Sequence, residues 1–115
     1  MQKGDQLYLG HMLDAARKAH EKVRGIERAE YDADEDLRLA LAHLIQVIGE
    51  AASRVSAACQ RNNPQVPWRE ITGIRHRIVH DYTDVNFDVI WVVAREDLPR
   101  LVEELERLMP AAGGL

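Results

Sequence analysis

Apolar positions recur at helical spacing along almost the whole chain. Tyr8, Met12, Ala15, Ala19 and Lys22/Val23 follow one another at steps of four and three, the period of one face of an α-helix. Asp5 is placed to cap this helix and Gly25 to end it, while residues 1–4 read as a short flexible lead. Residues 25–33 read as a loop. Asp32 or Asp34 then caps a longer helix whose stripe runs Leu37, Leu41, Leu44, Ile48, Ala51, Val55 and Ala58, reaching about Gln60. At 1.5 Å per residue it would extend about 40 Å, more than a small core needs, so part of it is free to meet a partner subunit. Gly49 sits mid-helix among small residues. It costs about 1 kcal/mol relative to alanine there and so marks the close approach of another helix.

The run Arg61-Asn62-Asn63-Pro64-Gln65-Val66 breaks the pattern. Pro67 suits the first position of a third helix, with Trp68, Ile71, Ile74 or Arg75, and Ile78 on its apolar face. Tyr82 to Asn86 ends it. Asn86 caps a fourth helix that turns Phe87, Ile90, Val93 and Ala94 inward. Pro99 perturbs that helix, and Asp97 caps a last segment carrying Leu98, Leu101, Val102, Leu105 and Leu108. Residues 110–115 read as a flexible tail. Neither a repeat nor a strand hairpin is evident. The pattern predicts an all-α, antiparallel bundle of four to five helices, the last one broken near Pro99, in one domain over residues 1–115, with a two-fold dimer expected from the long second helix.

Composition changes this picture little. Of 115 residues, 46% are apolar and 30% charged, as in ordinary globular domains. The net charge of −4 argues against a protein that coats nucleic acid non-specifically, and leaves room for a local basic cleft. Cys59 is the sole cysteine. It has no disulfide partner and reads as a small core hydrophobe. No apolar run is long enough to span a membrane and no hydrophobic signal core opens the chain, so a cytoplasmic protein without membrane contact is expected.

The candidate chemistry is concentrated in Arg75-His76-Arg77-Ile78-Val79-His80-Asp81-Tyr82. Histidine moves protons near neutral pH, and arginine offers a planar fork of donors suited to phosphate. Such a set fits phosphodiester chemistry on RNA, whose 2′-hydroxyl can attack its own phosphate. On a regular helix Arg75 and His80 would stand about 140° apart, so spacing alone does not assemble a site. A helix that ends near His80, or a two-fold dimer that brings two copies into one cleft, would do so. Plainer readings stand beside this one. Arginine near a helix end commonly joins a surface ion pair. His76 and His80 share a face but lack an evident third metal ligand. Glu50 reads as a polar residue bonded across the bundle or paired with an arginine. Asp81, Asp84 and Asp88 read as caps and surface, with no cofactor implied. Trp68 and Trp91 read as core or interface anchors.

The sequence Arg75-x4-His80-x-Tyr82 resembles the R-x4-H-x-Y motif of the HEPN superfamily. Its flanks are similar to those of the HepT-like toxins: Ile48-Gly49-Glu50-Ala51-Ala52, Val66-Pro67-Trp68-Arg69-Glu70-Ile71 and Leu98-Pro99-Arg100-Leu101. The resemblance implies a homodimeric helical bundle with metal-independent ribonuclease activity, in which Arg75 and His80 are catalytic. It implies that Tyr82 accepts AMP from a minimal nucleotidyltransferase (MntA-like) antitoxin, which would place charge and bulk where RNA phosphate must sit. The residue after the arginine is often asparagine in this branch; here it is His76, which with Arg77 is expected to support RNA contact. The alternative is a non-catalytic nucleotide-binding or interaction module that partners a nucleotidyltransferase. A third reading is a structural dimer in which the polar stretch only sets register.

Overall fold

The computed structural model describes residues 2–81 and 83–109, without the side chains of His80 and Asp81. Helix α1 spans Lys3–Val23, α2 Arg28–Ala33, α3 Glu35–Ser53, α4 Ala57–Asn62, α5 Trp68–Thr72, α6 Ile74–Ile78 and α7 Phe87–Val92. A π-helical turn, Val93–Asp97, leads into α8, Leu98–Leu108. Helix α1 lies against α3 and α8, and α3 also supports α5, α6 and α7. Leu9, Met12, Leu41, Ile45, Ile78, Ile90 and Leu105 close the core between them. The fold is the expected all-α bundle, cut into shorter pieces. Among the described residues, no helix is long and apolar enough to cross a membrane.

The start of α1 differs from the expectation. Lys3 and Gly4 are already helical, Gln2 is the N-cap, and Asp5 lies within the first turn, almost fully buried. Its carboxylate accepts hydrogen bonds from the Gln2 amide at 3.0 Å and from the Ser56 amide and hydroxyl, both at 2.7 Å. Ser56 in turn caps α4 by accepting from the Cys59 amide at 3.1 Å. One carboxylate therefore ties the opening of α1 to the start of α4. This tie accounts for the second correction: the long stripe does not continue unbroken to Gln60, but stops at Ser53 and restarts at Ala57. Gln60 spans the gap by donating its side-chain amide to the Ala52 and Val55 carbonyls. Cys59 is buried, as expected, and burial pushes its thiol pKa up.

Burial alone would raise the pKa of Asp5, but the donors from Ser56 and Gln2 hold it below its ordinary value. A carboxyl depressed in the folded state contributes stability above its unfolded pKa, and that contribution is lost as pH falls through the folded value. Asp5→Asn should therefore cost about 1–3 kcal/mol at neutral pH, and the difference from the parent should narrow as pH falls below the ordinary aspartate range. Urea denaturation along that pH series checks it; a gap independent of pH would contradict the role given to the charge.

Residues 25–33 are not a plain loop, because α2 forms there around fully buried Tyr31. The Tyr31 hydroxyl donates to the Phe87 carbonyl at 2.7 Å, and its ring packs on Trp91 with centroids 4.8 Å apart. Burial pushes its pKa up to about 12. Arg28 pairs with both Asp32 and Asp88, which joins α2 to α7. Trp91 is thus half-buried against its own chain, and Trp68 is a core residue whose indole donates to the Asn63 carbonyl at 2.9 Å.

Gly49 does mark a close approach, but the neighbour is intramolecular. A β-carbon there would lie 2.8 Å from Ile74 Cγ2 and 3.0 Å from the Ile71 carbonyl oxygen. The small-residue face of α3 is the seat of α5 and α6, not a notch for another subunit. Glu50, next along, is exposed instead of bonded across the bundle. Downstream of α6 a strand pair does form. Val79–Asp81 (β1) and Asp84–Val85 (β2) are antiparallel, with Val79 opposite Val85 and Asp81 opposite Asp84. Asn86 caps α7 as expected, accepting from the Val89 amide. Asp97 caps nothing; it has helical backbone angles inside a continuous helix. Pro99 lacks an N–H and its ring crowds the carbonyl four residues back, and the wider π turn takes up that misfit without a break.

Candidate active site

Helix α6 has only five residues, and two isoleucines decide its orientation. Ile74 and Ile78 are buried, at a spacing that places both on one face. The three residues between them, Arg75, His76 and Arg77, are all exposed. Burying the two ends therefore projects the three cation-forming side chains outward from a seat fixed by Gly49. Gly73 separates α5 from α6, with its amide donating to the Arg69 carbonyl at 3.1 Å and its carbonyl accepting from His76 at 3.0 Å.

The helix ends at Ile78, whose carbonyl accepts from the Asn86 amide at 2.7 Å. His80 falls in β1, so the angle of a regular helix does not separate it from Arg75. The predicted release at the helix end is present in the backbone. The His80 and Asp81 side chains and the whole of Tyr82 lie outside the described residues. Of the supporting pair, His76 faces solvent and Arg77 lines a groove between α3, α5–α6 and α8. Arg69 is exposed and does not line that groove. The acidic protein thus carries a local excess of cation-forming groups: Arg69, Arg75, His76, Arg77 and His80 against Glu70 and Asp81 over residues 68–82. Among the described residues no three His, Cys, Asp or Glu side chains converge to hold a metal ion. Asp84 and Asp88 are surface residues, the latter paired with Arg28.

Two residues that shape this region escaped the reading of sequence. Gly49 signals a close neighbour, but its spacing does not say that the neighbour is α5–α6 of the same chain. Glu104 was passed over, yet it occupies an apolar position of α8 in the series Leu101, Glu104, Leu105, Leu108 and is buried. A polar residue in phase with an apolar stripe was the available signal.

The "Ribonuclease HepT-like" family model matches residues 12–108, which include all of α3 to α8. "Putative RNase TTE0752" of Caldanaerobacter subterraneus subsp. tengcongensis is 29% identical over 102 residues, covering 89% of this chain and 91% of that protein. "Probable ribonuclease HepT" of Thermococcus cleftensis is 29% identical over 108 residues, covering 94% and 98%. No solved structure matches. With a family match running from the middle of α1 to the end of α8, the chain belongs to the HepT-like ribonuclease family.

Proposed function

We propose that this ribonuclease is the toxin of a toxin–antitoxin pair and cuts RNA internally without a metal ion, using Arg75 and His80. The observation that carries the reading is the end of α6 at Ile78, which puts the two motif residues on different elements, Arg75 on a helix and His80 on an extended strand. The 2′-oxygen attacks the adjacent phosphorus and the bond to the 5′-oxygen breaks, leaving a cyclic phosphate and a free 5′-hydroxyl. His80 moves the proton between the entering and leaving oxygens. Arg75 binds the phosphate oxygens where charge builds up. His76 and Arg77 hold neighbouring phosphates, and a two-fold dimer faces two such sets across one cleft. A nucleotidyltransferase antitoxin silences the enzyme by adding AMP to Tyr82, through charge and bulk. Incubation of purified protein with mixed RNA in EDTA tests this: cleavage is expected, and protein of unmodified intact mass that leaves RNA whole would refute it. That second result would favour a non-catalytic module partnering a nucleotidyltransferase.

A further inference from the structure

The groove that Arg77 lines has a volume of about 540 Å3 and lies between α3, α5–α6 and the π turn with α8. Its walls are apolar, formed by Ile48, Ile71, Ile74 and Leu101 among others. Glu104 lines it, only 9% exposed, and its Oε2 is enclosed without a hydrogen-bond partner among the described residues. A carboxyl oxygen buried in that condition is costly, and an apolar residue in its place would complete the α8 stripe. The remaining charge is unbalanced: Glu70, Glu96, Asp97 and Glu104 meet Arg77 and Arg100. The groove is therefore an apolar trough with an acceptor inside and an excess of acids around it.

We infer that this groove docks a protein segment that presents one arginine or lysine between apolar side chains, with the cation seated on Glu104. Phosphate does not suit it, because the carboxyls outnumber the guanidinium groups. A second copy packed groove to groove would bring the same acidic excess and be repelled. A basic, apolar-flanked side chain suits both the walls and the acidic excess, and it reaches the orphaned oxygen once the Glu104 carboxyl, enclosed in the empty groove, turns toward it. Ile74 and Arg77 belong to α6, so an occupant would also touch the helix that carries Arg75. The inference does not depend on the catalytic assignment.

Hexylguanidinium, compared with neutral hexylurea, probes the anchor in the full-length protein by amide chemical-shift titration. Expected are saturable shifts at Ile71, Ile74, Leu101 and Glu104, with at least about tenfold preference for the cation. Glu104→Gln should abolish the preference while the remaining spectrum stays folded. Equal affinity for the two probes, a preference that survives Glu104→Gln, or shifts confined to another surface would overturn the proposal. Sedimentation decides against a second copy: a parent dimer that excludes the probe and dissociates on Glu104→Gln would show that the chain itself fills the groove, and the proposal would fall.

Discussion

Arg75→Ala and His80→Ala should each slow RNA cleavage by about 10²–10⁴-fold. For Arg75 the argument separates activity from folding. Its side chain is exposed between the two buried isoleucines that anchor α6, so truncation should leave stability within about 0.5 kcal/mol of the parent. Arg75→Lys keeps the charge and loses the planar fork, and is expected to recover only part of the rate. His80 lies on β1, beyond the helix, and its replacement would remove the proposed proton carrier. Single-turnover cleavage of one defined RNA in EDTA, with circular dichroism on the same samples, measures both quantities. If both alanine variants cut as fast as the parent, the motif is not the catalytic centre.

Gly49→Ala should destabilise the protein by about 1–3 kcal/mol, against the gain of about 1 kcal/mol that alanine normally brings to a helix interior. The sign reverses because the new methyl group meets Ile74 Cγ2 at 2.8 Å and a backbone oxygen, that of Ile71, at 3.0 Å. A side-chain terminus can turn away, whereas the carbonyl moves only if α5 moves. Gly49→Val should be worse, and in both variants cleavage should fall with stability, since the displaced piece carries Arg75. Ile74→Ala in the Gly49→Ala background should recover part of the loss by removing one of the two clashes, a coupling that a double-mutant cycle reads directly. An alanine variant as stable as the parent would show that α5–α6 is not seated as tightly as the distances require.

The elements that could be read from sequence are those whose cause is local. The α1 stripe, the Asn86 cap and the buried Trp68 follow from spacing and side-chain chemistry within a few residues. The break in α3 was hidden because Val55 and Cys59 keep an apolar face in phase across it, and its cause, Asp5, lies 51 residues away. The α2 turn was hidden for a similar reason, since Tyr31 finds its hydrogen-bond partner and ring contact on α7. Strands of two and three residues are too short to show a period. Gly49 announced a close neighbour, but spacing cannot say whether that neighbour belongs to the same chain. The motif itself was legible because its chemistry is dense. The seat that aims it was not, because Ile74 and Ile78 acquire their meaning only from what they pack against.

The π turn at Val93–Asp97 gives this helix a tolerance that the others lack. Such a turn holds one residue more than the α-helical path it replaces. Loss of one exposed residue there, such as Glu96, would return the helix to α-helical pitch with Ile90 before it and Leu101 and Leu105 after it still facing inward, at the cost of the Pro99 misfit that the wider turn takes up. The same deletion within α1 or α3 would turn everything downstream by about 100° and carry the apolar face to the surface. Length variation between Trp91 and Leu98 is therefore open to the lineage, at the edge of the Glu104 groove, where gaining or losing a residue would reshape what the groove accepts while the bundle keeps its phase.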